Sequence, residues 1–146
     1  LSAHTFGMFA LSPITGRLVD RFGSPRIIAA GLATLAVAAL IAAGAPPDGG
    51  AVLTLALFLL GYGWNLGFVA GSSMLTSGLS LGERTRVQGV ADGLIWTSAA
   101  LSSLSSGFIV AGASYTALGL LGAALLIAPA AVLLARRGAV AAGRPA

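Results

Sequence analysis

The sequence predicts an all-α membrane protein that crosses the bilayer about five times, the first time only in part. Of its 146 residues, 57% are apolar and only 8% are charged, and the mean hydropathy is +0.96. Long uncharged runs alternate with short clusters of charged or turn-forming residues. All eight arginines fall into every second connection between these runs. Together these features indicate helices that alternate in direction through a lipid bilayer.

The low charge content excludes a water-soluble fold, because soluble domains carry about 25% charged residues. The net charge of +4 comes from arginines in separated clusters rather than in one basic stripe, so nucleic acid is not an expected partner. The sequence contains no cysteine, which excludes disulfides and thiolate metal sites. We expect no metal and no cofactor, and the bilayer itself is the expected partner.

The apolar runs set the expected spans. A hydrocarbon core of about 30 Å needs about 20 helical residues, and four runs come close to this length or exceed it. The runs lack the alternation of a barrel strand, so the expected spans are helices. The prediction is one partial transmembrane domain over 1–146, with spans at 1–16, 27–45, 52–77, 88–111 and 115–135 and a basic tail at 136–146. Because the first run begins at Leu1 and is short, we expect it to be the second half of a helix.

The arginines predict the orientation. They lie in 17–26, in 78–87 and after residue 135, whereas the links at 46–51 and 112–114 contain none. Basic residues are enriched in cytoplasmic loops. We therefore expect a multi-pass protein of the plasma or inner membrane with a cytoplasmic C-terminus.

Polar side chains concentrate in the spans 52–77 and 88–111, whereas 27–45 and 115–135 are almost purely apolar. Polar groups inside a membrane usually face protein or a water-filled cavity. The first pair of spans is therefore expected to face a cavity and the second pair to face lipid. The candidate cavity or substrate residues are Asn65, Trp64, Trp96 and Asp92.

Two of these candidates leave alternatives open. The Asn65 amide needs partners at its depth, which either a neighbouring helix or a transported ligand would supply. Asp92 lies near the start of its span, where it either stabilises the positive end of its own helix or binds a cation or proton. The second alternative follows from a polar and aromatic stripe through Gln88, Asp92 and Trp96, and it implies proton coupling.

Glycines recur every four residues at Gly63, Gly67 and Gly71. Such a row lies on one face of a helix and lets another helix approach closely. We interpret it as a packing seam.

The first connection carries the most specific motif of the chain. It consists of Gly16, Asp20, Arg21, Gly23 and Arg26. Gly16 is suited to a close helix approach, Gly23 to a tight turn and Asp20 to a helix N-terminus. This spacing between two spans resembles the loop signature of the major facilitator superfamily (MFS), although Ser24 and Pro25 stand where that family usually has basic residues. The resemblance makes the motif a gating loop.

The resemblance covers the whole chain and implies helices eight to twelve of an MFS fold. The first half of such a transporter usually has an arginine in its fourth helix and a Gly-Pro motif in its fifth, and neither occurs at 52–77 or 88–111. The implied protein is the C-terminal part of a secondary transporter, not an enzyme. It would move a small solute by alternating access together with a missing N-terminal half. The alternative is a small independent multi-pass protein with a structural or assembly role.

Overall fold

The computed structural model describes residues 1–46 and 48–142, and the side chains of these residues as far as 135. Within this part the chain forms seven α-helices and no strand. The helices are α1 (Ser2–Phe9), α2 (Ser12–Phe22), α3 (Ser24–Ala43), α4 (Gly50–Thr76), α5 (Leu81–Gly112), α6 (Tyr115–Leu125) and α7 (Ile127–Ala142). Of the predicted basic tail, residues 143–146 and the side chains of 136–142 lie outside the described part.

Four stretches of the described residues are long and apolar enough to cross a membrane. They are Ser24–Ala43, Gly50–Thr76, Leu81–Gly112 and Tyr115–Ala135. The prediction of an all-α membrane protein is therefore confirmed.

The first expected span, 1–16, is occupied by two helices instead of one. Helix α1 ends at Phe9, and α2 begins at Ser12 with a proline in its first turn. Pro13 has no N–H to give to the carbonyl four residues earlier, so the helix breaks before it. Helix α2 then continues beyond residue 16 through most of the charged motif and ends at Phe22, with Gly23 as its C-cap.

Helix α5 also begins earlier than the expected span 88–111. Ser80 and Glu83 form a capping box, in which Ser80 N–H donates to Glu83 Oε2 over 2.9 Å. The 32 residues of α5 extend about 48 Å, whereas the hydrocarbon core is about 30 Å thick. Helix α5 is therefore long enough to project beyond the hydrocarbon core.

The last expected span is bent at Leu126, between α6 and α7. Pro129 lies in the first turn of α7 and has no N–H for the carbonyl of Leu125. The bend follows from that lost hydrogen bond, and the two helices together still cover one span.

Helix α4 lies at the centre of the bundle and contacts α1, α2, α3 and α5. Two of its contacts depend on paired glycines. A Cβ on Gly31 of α3 would lie 3.0 Å from Gly63 O and 3.0 Å from Gly67 N. A Cβ on Gly7 of α1 would lie 2.5 Å from Phe58 O, and one on Gly61 would meet His4 O. Small residues thus bring α1 and α3 close to α4 on two of its faces.

Helix α5 is packed differently, since none of its residues is buried. Helix α5 contacts α4 and α6, and these two helices cover it only in part. A polar and aromatic face of the bundle is therefore open between α1, α4 and α5.

Candidate functional site

Asn65 joins three helices at the centre of the bundle. Its side chain is 1% exposed. Its Nδ2 donates to Met8 O and to Ser12 Oγ, both over 2.7 Å, and its Oδ1 accepts a 2.5 Å hydrogen bond from Thr15 Oγ1. Both amide hydrogens and one lone pair of the oxygen are thus used by α1 and α2.

This arrangement repairs the break between α1 and α2. At the break, the N–H groups of Ile14 and Thr15 both donate to Leu11 O. Met8 O receives its hydrogen bond from the Asn65 side chain. Broken backbone at membrane depth is stable when side chains of other helices satisfy its polar groups. The geometry favours an interhelical role for Asn65, and direct ligand contact by Asn65 stays a prediction.

Four aromatic side chains meet beside Asn65. They are Phe9 of α1, Trp64 and Phe68 of α4, and Trp96 of α5, and we call them the aromatic cluster. The Trp64 ring stacks on Phe68 at 4.6 Å between centroids and 12° between planes. It meets the edge of Phe9 at 6.1 Å and the tilted ring of Trp96 at 6.2 Å. The structure thus brings together the two tryptophans that the sequence proposed separately.

A polar group lies on the same face of α4 and α5. Gln88 Nε2 donates to Asp92 Oδ1 over 2.7 Å and to Ser72 Oγ over 3.2 Å. Asp92 is partly buried. Its carboxylate is therefore held in place by a neighbour on its own helix, which is in turn bound to α4.

These contacts define one antiparallel register between α4 and α5. Trp64 meets Trp96 at one end and Ser72 meets Gln88 at the other. Positions four residues apart share a helix face. The resulting α4/α5 stripe consists of Trp64, Phe68 and Ser72 opposite Gln88, Asp92 and Trp96. Asp92 and Trp96 lie about 6 Å apart along the axis at 1.5 Å per residue.

The gating-loop motif lies at the junction of α2 and α3. Gly23 has a φ of 81°, and this left-handed backbone favours glycine. Asp20 and Arg21 are exposed, with the Arg21 guanidinium carbon 5.3 Å from the centre of the Phe22 ring. Arg26 Nη1 donates to Phe22 O over 3.4 Å. A Cβ on Gly16 would meet no described atom within 4 Å, so this chain does not itself supply a close neighbour for Gly16.

The motif and the buried polar centre are connected through one residue that the sequence did not single out. Thr15 directly precedes Gly16, is fully buried and donates to Asn65. Its partner lies 50 residues away along the chain, so no local pattern indicated the contact. Pro13, two residues earlier, is a local signal of the helix break beside it.

Phe9 and Phe68 were likewise missed, because single aromatic residues in apolar spans look like ordinary lipid-facing or packing residues. A helical spacing of four residues between Trp64 and Phe68 is the one local sign of their stacking. Among the described residues, no group of three or more acidic, histidine or cysteine side chains is suited to hold a metal ion.

Three named proteins are similar to nearly the whole chain. It is 40% identical over 139 residues to the uncharacterised MFS-type transporter YddS of Bacillus subtilis, which is 94% of this chain and 32% of that protein. It is 39% identical over 135 residues to the uncharacterised MFS-type transporter YdeG of the same organism, covering 92% and 31%. It is 34% identical over 141 residues to the riboflavin transporter RfnT of Brucella anthropi, covering 94% and 35%.

The chain spans about a third of the length of these curated relatives. No protein-family model matches it, and no solved structure is significantly similar to it.

Proposed function

We propose that the chain, a member of the major facilitator superfamily, is the C-terminal part of a secondary transporter that moves a small solute by alternating access. The observation that carries this proposal is the α4/α5 stripe, where a carboxylate, an amide and two indoles share one open face inside apolar spans. Polar side chains inside a membrane usually line a solute or ion pathway. The assignment to the C-terminal part rests on the absence of the first-half motifs from 52–77 and 88–111.

In this proposal α4 and α5 line the central cavity, while α3 and α6 lie further from it. Transporter halves rock about a site near the bilayer midplane. Helix α5 suits a cavity wall because none of its polar side chains is fully buried, although the helix is apolar enough to cross the membrane. The remaining helices of the full-length protein would form the opposite wall.

The motif between α2 and α3 would then act at the cytoplasmic gate. Asp20 and Arg21 are exposed at the end of α2, so they are available to a partner outside this chain. Thr15 ties the same helix to Asn65 at the bundle centre. A movement of α2 at the gate would therefore change the contacts of Asn65 at the break between α1 and α2. We assign Asp20 the role of biasing the two gate conformations.

Asp92 is our candidate for proton or cation coupling. It faces Gln88 on its own helix, and Gln88 binds Ser72 of α4. A proton or cation on Asp92 would change this hydrogen-bonded contact between the two helices. Coupling would follow because the contact lies on the face that α4 and α5 present to the cavity.

Riboflavin is the first solute to test, because one relative is named a riboflavin transporter. The decisive property is the alternation of access itself, which is measured with single cysteines in a cysteine-free full-length protein. A cysteine at Ser73, which is exposed and takes no part in the hydrogen bonds of Asp92, reports the cytoplasmic end of α4, and one at Thr54 reports the outer half of the same helix. Solute should raise labelling by a water-soluble maleimide at one position and lower it at the other.

Asp20→Asn should reduce this reciprocal change at equal protein level, whereas the matched variant Asp48→Asn in the outer link should not. Alternating access would be contradicted if every transported solute changed the labelling at the two positions in the same direction. Wild-type cycling of Asp20→Asn would remove Asp20 from the gate.

A further inference from the structure

We propose that the aromatic cluster is the substrate platform of the transporter and that its substrate is a planar heteroaromatic solute with a hydrogen-bond donor at its edge. The inference rests on the proposed transport function and adds the class of substrate and the residues that select it.

The cluster combines a fixed ring with an open one. Trp64 is held from two sides, by the stacked ring of Phe68 and by the edge of Phe9. Trp96 is tilted by 46° from Trp64 and is 53% exposed. Offset or edge contacts between rings 4.5–7 Å apart are favourable, so the cluster is stable without a guest. Trp96 nevertheless keeps a face on which a further planar ring can stack.

The surroundings make this face different from an ordinary lipid-facing surface. Phe9 is 54% exposed and lies at the same level, so the open surface extends across α1 and α5. Each indole also has an N–H that can donate to an acceptor at the edge of a heterocycle. A hydrocarbon solute would not use these donors, and it would not gain the stacking that a planar ring has with Trp96.

The α4/α5 stripe supplies the polar end of the site. Asp92 lies one turn from Trp96, about 6 Å along the axis. Gln88 occupies its Oδ1, and no residue in the described part of the chain donates to Oδ2. A ring stacked on Trp96 would bring an N–H at its edge within reach of that oxygen. The site therefore matches a flat ring system with donors, rather than an anion, and the free carboxylate oxygen favours a donor at the edge of that ring.

The size of the effect follows from stacking on aromatic side chains. Replacing such a side chain by alanine costs about 1–3 kcal/mol per stacked base, or about 5- to 150-fold in affinity. Trp96→Leu keeps an apolar side chain but removes the ring, whereas Trp96→Phe keeps a ring. Because Trp96 is half-exposed, neither change should prevent folding.

The test is equilibrium dialysis of the purified full-length transporter with three planar probes, namely riboflavin, its bare ring system lumichrome, and adenosine. Ribitol, the side chain of riboflavin alone, serves as the competitor without a ring. At least one planar probe should bind, Trp96→Leu should weaken it about tenfold, and Trp96→Phe should stay within about threefold of the parent. Phe108→Leu is the matched control, because it removes an 80% exposed ring from the same helix three turns away.

Several results would overturn the platform. These are binding that survives Trp96→Leu, competition by ribitol but not by lumichrome, or no binding of any planar probe. A lower melting temperature of Trp96→Leu without a change in affinity would mean that another helix, not a solute, covers the cluster. Reciprocal labelling at Ser73 and Thr54 that persists in Trp96→Leu, or that a solute without a planar ring produces, would show that transport continues without the platform. A failure of the platform is therefore distinguishable from a failure of the transport function.

Discussion

At the scale of single residues, Asn65 carries the most hydrogen bonds between helices. It replaces backbone pairing that the break before Pro13 removes, and its partners come from both sides of that break. The amide is inaccessible to solute in this conformation, since it is 1% exposed. Its hydrogen bonds give Asn65 a positioning role for α1 and α2, and direct contact with a ligand stays a prediction.

Replacing Asn65 by leucine should destabilise the full-length protein by about 1–2 kcal/mol, because Met8 O and two hydroxyls lose their partner. The measurement is thermal unfolding in detergent. Thr34→Ala is the control, since the Thr34 hydroxyl donates only to Ala30 O in its own helix. Equal melting temperatures for Asn65→Leu and Thr34→Ala would contradict the role of Asn65.

Asp92 is the residue whose two alternatives an experiment separates. If it binds the coupling proton, Asp92→Asn should lower transport at least about fivefold and flatten its pH dependence, with protein level unchanged. Asp48→Asn, in the outer link, should alter neither. Loss of protein level alone would support a purely stabilising role at the start of the helix, and an unaltered pH profile would exclude Asp92 from coupling.

At the scale of the helices, the approach of α1 to α4 is the tightest contact of the bundle. Gly7 and Gly61 lie against backbone atoms of the opposite helix. In contrast, a Cβ on Gly67 would meet no described atom within 4 Å, although the Gly67 backbone lies close to α3. The contact with α1 therefore requires a glycine at position 61, whereas no described contact requires one at position 67.

This difference gives a matched pair of substitutions. Gly61→Ala should destabilise the protein by about 1–3 kcal/mol, because the new methyl group would meet His4 O and force α1 away. Gly67→Ala should be neutral or stabilise by up to about 1 kcal/mol, since alanine is the better helix former. Both are measured by thermal unfolding of the full-length protein. The α1–α4 contact would be wrong if both variants melted at the same temperature.

At the scale of the whole molecule, the four stretches that are able to cross a membrane and the distribution of arginines predict one orientation of the chain. Basic residues retain their side of the membrane because moving them across the hydrocarbon is costly. The links around Asp48 and Ala113 contain no arginine, whereas Arg84 lies in the opposite set of connections. The predicted orientation thus places Asp48 and Ala113 on the outer side of the membrane and Arg84 on the cytoplasmic side.

A single cysteine at Asp48 should react with an impermeant maleimide in intact cells. One at Arg84 should react only after the membrane is permeabilised. The experiment uses a cysteine-free full-length protein, and a cysteine at Val37 within α3 is the unreactive control. Protection at Asp48 together with labelling at Arg84 would invert the orientation.

The sequence by itself determined the class, the family and the approximate positions of the spans. Hydropathy and charge are sums over local segments, so they survive without knowledge of the packing. The predicted helix ends differ from the observed ones at several places. Prolines divide helices before Ser12 and Ile127, and the capping box at Ser80 lengthens α5. These signals were present in the sequence but do not change the hydropathy.

Only the tertiary structure decided which polar groups pair and which rings meet. Asn65 binds residues 50 to 57 positions away, and Trp64 reaches Trp96 because α4 and α5 adopt one particular register. The hydropathy of a segment does not change when its helix rotates or slides against a neighbour. These contacts, in contrast, are lost when the helix shifts by a single residue, because the side chains then lie on another face. Such contacts depend on close packing between distant segments, and no local pattern contains them.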